Sequence, residues 1–224
     1  MHNLPFLEML DYAMLAYSNT PTSNVFRCIS FENCEEVGVQ YYIGQKNDVL
    51  IVAFRGTDSL QDLATDLDFW AKHVPYDNPD SKIRVHSGFI KAYKSDCVRA
   101  RIHKFVDNSV NTIYVTGHSY GAALALLCAL DLQYNYPEKY YEVTVFGCPR
   151  VGNRAFVKSY NKRLIKTIRF ENGNDVVTKI PPALFGFKHA GVRIHLGFPR
   201  LLGFYSFKHH SCGSYYQNLW HRRC

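Results

Sequence analysis

The sequence predicts an α/β fold, and three observations carry that prediction. Short, continuous apolar runs rich in β-branched residues recur at 49–54, 112–116, 141–146 and 165–170. Segments with helical spacing, at 88–106, 122–133 and 154–163, fall between or after them. Strands without polar alternation are covered on both faces, as in a largely parallel sheet between helical layers. At 224 residues and 47% hydrophobic, the chain can bury one sizeable core. No internal repeat or Gly/Ser/Pro-rich linker divides it, so one domain over 1–224 is expected.

The first segment, MHNLPFLEMLDYAMLAY, carries Glu8 and Asp11 inside its apolar stretch, which spoils it as a secretory h-region. A secreted location would require a leader that had been removed, and the compartment stays open. The next, GVQYYIGQKNDVLIVAFRGT, reads as a hairpin: an alternating strand at 39–43, a turn at 44–48, and a buried strand at 49–54. The longest apolar run, at 122–130, is far shorter than the roughly 20 residues of a membrane span.

Seven cysteines (Cys28, Cys34, Cys97, Cys128, Cys148, Cys212, Cys224) include no CxxC pair with metal spacing. Cys128 lies in an Ala/Leu run and reads as a buried thiol. Cys28, Cys34 and Cys224 could staple the termini in an oxidising compartment. The net charge of +7 is uneven: Asp175 is the last acidic residue, and Lys179, Lys188, Arg193, Arg200, Lys208, Arg222 and Arg223 follow it. No nucleic-acid-binding motif accompanies this basic, aromatic tail, so nucleic acid is not expected as a partner. An anionic lipid surface suits it, as does a solvated basic face.

The chemistry centres on TIYVTGHSYGAALALLCAL. G-x-S-x-G, here Gly117 to Gly121, sits between a β-branched strand and an Ala/Leu helix. In that context the serine belongs on a sharp turn that exposes its Oγ at the helix N-terminus. The alternative is a tight turn whose serine caps the helix. A serine nucleophile needs a base to take its proton and an acid to orient that base. In α/β-hydrolases these follow in the order Ser, Asp/Glu, His. Of the later acids, Asp131 lies in the helix of Ser119, and Glu138 and Glu142 flank the start of a strand. Asp175 follows a strand, in the loop ENGNDVVTKIPP, on the side where α/β sheets collect ligand-facing residues. Asp175 is therefore the candidate acid. His189, His195, His209, His210 and His221 remain as bases.

Six blocks occur in order: FRGT at 54–57, VHSGF at 85–89, GHSYG at 117–121, FGCPRVGN at 146–153, NDVVTKIPP at 174–182 and GFKHAG at 186–191. Together they resemble the class 3 (fungal-type) lipases, over roughly residues 10 to 220. The resemblance implies an α/β-hydrolase fold, with a predominantly parallel central sheet covered by helices on both faces and a short helical lid. The family's catalytic histidine lies in a segment like H-S-x-x-x-Y-x-x-x-L, which KHHSCGSYYQNL matches with His210, Ser211, Tyr215 and Leu219. His210 thus ranks first, His209 second, and His189, at a non-catalytic family position, third. The oxyanion donors would be Tyr120 N–H, as the elbow requires, and Thr57, carried over from the family.

The segment DSLQDLATDLDFW after Thr57 matches the family's lid, with Leu60, Leu63 and Leu67 on its apolar face. Asp62, Asp66 and Asp68 weaken the case for strong interfacial activation. Tyr120 stands where leucine is usual and Cys148 where glutamine is common.

These features imply a serine carboxylic ester hydrolase acting on lipid esters through Ser119, Asp175 and His210, with no cofactor or metal. A phospholipase A1 or a feruloyl or aryl esterase would use the same triad. The basic tail favours phospholipid, and the acidic lid favours a soluble ester. An inactive lipid-binding relative is disfavoured because no triad member is missing.

Overall fold

The computed structural model describes residues 5–18, 23, 25–57, 80–198 and 205–222, and the backbone of 72–73. Its central sheet has seven strands in simple spatial sequence. They are β1 (Arg27–Cys34), β2 (Val39–Lys46), β3 (Val49–Phe54), β4 (Thr112–His118), β5 (Tyr140–Phe146), β6 (Thr167–Asn172) and β7 (Val192–Leu196). The first three are antiparallel neighbours, and β3 to β7 run parallel. Among the described residues, the helices of eight residues or more are α1 (Phe6–Leu15), α2 (Ser87–Lys94), α3 (Tyr120–Asn135), α4 (Arg154–Arg163) and α5 (Cys212–His221). This is the mostly parallel, helix-covered sheet of an α/β-hydrolase.

Both faces of the inner strands are buried, which explains the unbroken apolar runs. Along β3, Leu50, Val52 and Phe54 enter a core shared with α2, α3 and α4, and Ile51 and Ala53 enter a second core under α1 and α5. The alternation expected of β2 is really between these two cores: Tyr41 and Ile43 join the first, and Tyr42 joins the second. The hairpin forms as expected but with a tighter turn, since Lys46 pairs with Val49 and Asn47 adopts a positive φ of 54°, which asparagine tolerates.

Other boundaries differ from the sequence pattern. The helical run expected over 88–106 breaks at Ser95, whose hydroxyl donates to the Ala92 carbonyl (2.8 Å), the local competition typical of serine. A π-helical turn, Asp96–Ala100, follows. The strand expected at 165–170 is displaced to β6, because pairing with β5 begins only at Thr167 and Ile165 is left exposed. The sequence pattern does not single out α1, β1, β7 or α5. Of the thiols considered as staples, Cys28 and Cys34 are free, and Cys34 Sγ donates to the Cys97 carbonyl (3.0 Å); Cys224 lies outside the described residues. Cys128 is buried, as expected.

Candidate active site

The candidate site lies where β4 ends and α3 begins. Ser119 joins them with φ 59° and ψ −126°, a conformation that L residues adopt only when the surroundings enforce it. The enforcement is visible on both flanks. A Cβ on Gly117 would strike the Gly121 backbone, and one on Gly121 would strike the carbonyls of Phe54 and Arg55. Strand, turn and helix therefore pass at backbone distance, and Ser119 N–H is anchored to the Phe146 carbonyl (3.0 Å). Ser119 is fully buried, and its Oγ has no hydrogen-bond partner among the described residues.

Asp175 sits one turn beyond β6, at the carboxyl end of the sheet. Its loop is held by Ser206 N–H, which donates to the Asn174 carbonyl (3.0 Å). One carboxylate oxygen accepts from Val177 N–H (2.9 Å); the other accepts from the Tyr215 hydroxyl (2.6 Å) and from His210 Nδ1 (2.8 Å). Burial, and Asp175 beside it, push the Tyr215 phenol well above its ordinary value, so it stays a neutral donor. Donation from Nδ1 leaves Nε2 of a neutral His210 as the basic nitrogen. That atom is buried and likewise has no partner among the described residues. Gly147, at φ +60°, makes room for the pair: a Cβ there would lie 2.7 Å from His210 Cε1 and 3.0 Å from Asp175 Oδ2.

The other candidate acids and bases are engaged elsewhere. His209 Nδ1 accepts from Asn174 N–H (2.9 Å), which makes it a strut of the Asp175 loop. His189 Nε2 donates to the Thr178 carbonyl (2.8 Å), and burial lowers the ring to about 3. Asp131 is buried in α3 and accepts from Tyr93, Arg99 and His103. Glu171 is buried among Arg169, Arg193 (2.7 Å), Lys179 (3.4 Å) and His189 (3.8 Å). Burial alone would raise the Glu171 carboxyl, but these neighbours, Arg169 first, draw it down to about 2.

Thr57 follows Gly56, whose Cβ position lies 3.0 Å from that of Ser119, so the exit of β3 abuts the elbow. Tyr120 opens α3, where the first N–H groups lack helical acceptors. Its ring packs edge-on against Phe89 (5.6 Å), and burial raises its phenol to about 12. Leu60, Leu63 and Leu67, the candidate lid, lie outside the described residues. No cluster of His, Cys, Asp and Glu suited to a metal ion occurs among the described residues.

Two further residues, His118 and Tyr17, join the site. His118 Nε2 donates to the His210 carbonyl (2.7 Å), and Nδ1 meets the Tyr17 hydroxyl (3.0 Å). No local pattern marks Tyr17, which lies about a hundred residues upstream.

Comparison with known proteins shows the family and the fold. The family described as "Lipase (class 3)" matches residues 51–185. A lipase of Rhizomucor miehei is 37% identical over 155 residues, covering 66% of this chain and 42% of that protein. A chloroplastic phospholipase A(1) of Arabidopsis thaliana is 34% identical over 150 residues, covering 59% and 33%. The chain thus spans less than half the length of these relatives. Among solved structures, a triacylglycerol lipase described as having a serine protease triad at its catalytic centre superposes with a TM-score of 0.73. It is 27% identical, and the match covers 85% of this chain and 78% of that one. A triacylglycerol lipase of Penicillium expansum, 20% identical, shares the fold with a TM-score of 0.75 over 86% and 79%. With its matched region running from β3 through the elbow to the Asp175 loop and beyond, more than half its length, the chain belongs to the class 3 lipase family.

Proposed function

We propose that the protein is a serine carboxylic ester hydrolase acting on lipid esters. Ser119 Oγ attacks the ester carbonyl as His210 Nε2 takes its proton. His210 returns that proton to the leaving alcohol, and Asp175 holds Nδ1–H and stabilises the imidazolium. Thr57 and the Tyr120 N–H receive the oxyanion. Water, deprotonated by the same imidazole, then releases the fatty acid from the acyl-enzyme. One observation carries this reading. His210 is clamped to a carboxylate through Nδ1 and has Nε2 unengaged among the described residues, in the same buried region as an equally unengaged serine on a strained elbow.

Ser119→Ala should abolish p-nitrophenyl ester hydrolysis and fluorophosphonate labelling with little change in the circular dichroism spectrum. Retention of a tenth of wild-type kcat would refute the assignment, since losses of triad members reach about 10⁴ or more.

A phospholipid substrate is a second reading, supported by the phospholipase A(1) relative and by exposed Lys208 two residues before His210. Leu184, Phe185, Tyr205 and Phe207, exposed on the chain flanking Asp175 and His210, suit peripheral contact with a lipid surface. Two tail cations, Lys179 and Arg193, are already drawn to Glu171, which reduces the charge available for an anionic one. Sedimentation with phosphatidylcholine vesicles, with and without anionic lipid, measures that contact. Turnover of triacylglycerol, phosphatidylcholine and feruloyl esters separates the substrate classes.

A further inference from the structure

We propose that His118 and Tyr17 are positioning residues that tie the His210 main chain to the elbow and to the loop carrying Thr57. This rests on the ester-hydrolase reading of Ser119 and His210. The His210 carbonyl can only accept, so His118 Nε2 must carry the ring proton across their 2.7 Å contact. Nδ1 of the neutral ring is then an acceptor, and the Tyr17 hydroxyl, 3.0 Å away, is its donor. The two imidazoles also pack at a tilt, with ring centroids 4.5 Å apart and planes inclined by 32°. One side chain, adjacent to the nucleophile, thus holds both the main chain and the ring of the base.

Tyr17 extends this hold to the other side of the site. It stands in the turn that ends α1, and α1 is fixed to β4 by the Thr116 hydroxyl on the Met9 carbonyl (3.0 Å). The Arg55 guanidinium lies over its ring at 5.2 Å, and Arg55 Nη1 is held by Gln40 (2.6 Å). A Cβ on Gly56 would strike the Tyr17 hydroxyl. The Cys212 thiol, at the start of α5, lies close enough to Tyr17 to interact with it. The exit of β3, the elbow and the start of α5 therefore meet around one phenol.

The titratable and charged groups facing His118 are His210, Asp175, Tyr215 and Tyr17, with Arg55 and Cys212 behind the last. Burial first, then His210, lowers the His118 ring to about 3. A neutral His118 adds no charge to repel the imidazolium that forms on His210.

His118→Phe keeps a ring but loses both hydrogen bonds; kcat for a small soluble ester should fall about 10²-fold with KM nearly constant, as for a misplaced catalytic group. His118→Gln can restore a donor to the His210 carbonyl and should recover at least about tenfold of that loss. Tyr17→Phe should cost about tenfold in kcat and stands in if the Phe variant does not fold. Unchanged kcat in His118→Phe or in Tyr17→Phe, or a Gln variant no better than Phe, overturns the proposal. A wild type that fails to label with fluorophosphonate overturns the hydrolase reading instead. The ¹⁵N spectrum of the imidazoles then decides the hydrogen-bond relay by itself. A His118 ring protonated only at Nε2 between pH 5 and 8 supports it, and a ring that titrates or exchanges tautomers there overturns it.

Discussion

Gly147→Ala tests the base–acid pair without replacing either member. The added Cβ would sit 2.7 Å from His210 Cε1, 2.8 Å from Nδ1 and 3.0 Å from Asp175 Oδ2, where ordinary contact begins at 3.4 Å. The imidazole must therefore retreat by about 0.6 to 0.7 Å, enough to break a 2.8 Å hydrogen bond. A catalytic group misplaced by about 1 Å costs on the order of 10²-fold in rate, so kcat for a soluble ester should fall by about that factor. Stability should fall as well. Alanine at a φ of +60° costs about 1 to 2 kcal/mol, and the lost hydrogen bond costs about 1 to 2 kcal/mol more. For a chain of this size that lowers Tm by about 5 to 15 °C. Steady-state kinetics, the fluorophosphonate labelling rate and a thermal melt read the three consequences separately. A Gly147→Ala enzyme with kcat within about twofold of wild type would refute the reasoning, because the ring would not stand where the added methyl must push it.

Replacing the histidines one at a time should separate the base from its neighbours. His210→Ala should be as inactive as Ser119→Ala. His209→Ala should keep most of its kcat but lose about 1 to 2 kcal/mol of stability, since Asn174 N–H loses its acceptor; an inactive His209 variant beside an active His210 variant would reverse the assignment. The Glu171 cluster predicts acid sensitivity. Its folded carboxyl titrates at about 2, below the ordinary 4.5, so the stability it contributes is present above 4.5 and drains away as pH falls toward 2. The shift corresponds to at most about 3 kcal/mol, and roughly half that once solvent screening of its half-exposed partners Lys179 and Arg193 is counted. Melts at pH 7, 4, 3 and 2 should show wild type converging on Glu171→Gln as pH drops; a constant gap between them would remove Glu171 from the acid response.

By itself the sequence determined the α/β class, the β2–β3 hairpin and the strand–elbow–helix around Ser119, and it nominated Asp175 by its place after a strand and His210 by the register of a family-like motif. Each rests on short-range information: apolar runs, the small residues flanking Ser119, and the ordered spacing of H-S-x-x-x-Y. The tertiary structure alone decided what depends on partners distant along the chain. β7 offers only polar–apolar alternation over the five residues VRIHL, with no continuous buried run and no hairpin turn to mark it, and the strand exists through its pairing with β6 and the reach of Arg193 to Glu171. The break at Ser95 was equally invisible, because the apolar spacing continues across it while the serine hydroxyl takes the Ala92 carbonyl. His209 and His210 differ by one position in sequence, yet one supports a loop N–H and the other a buried carboxylate. The link from Tyr17 through His118 to His210 spans α1, β4 and the approach to α5. Local pattern encodes which face of an element is buried; only the packed chain brings a phenol, two imidazoles and a carboxylate within hydrogen-bonding distance.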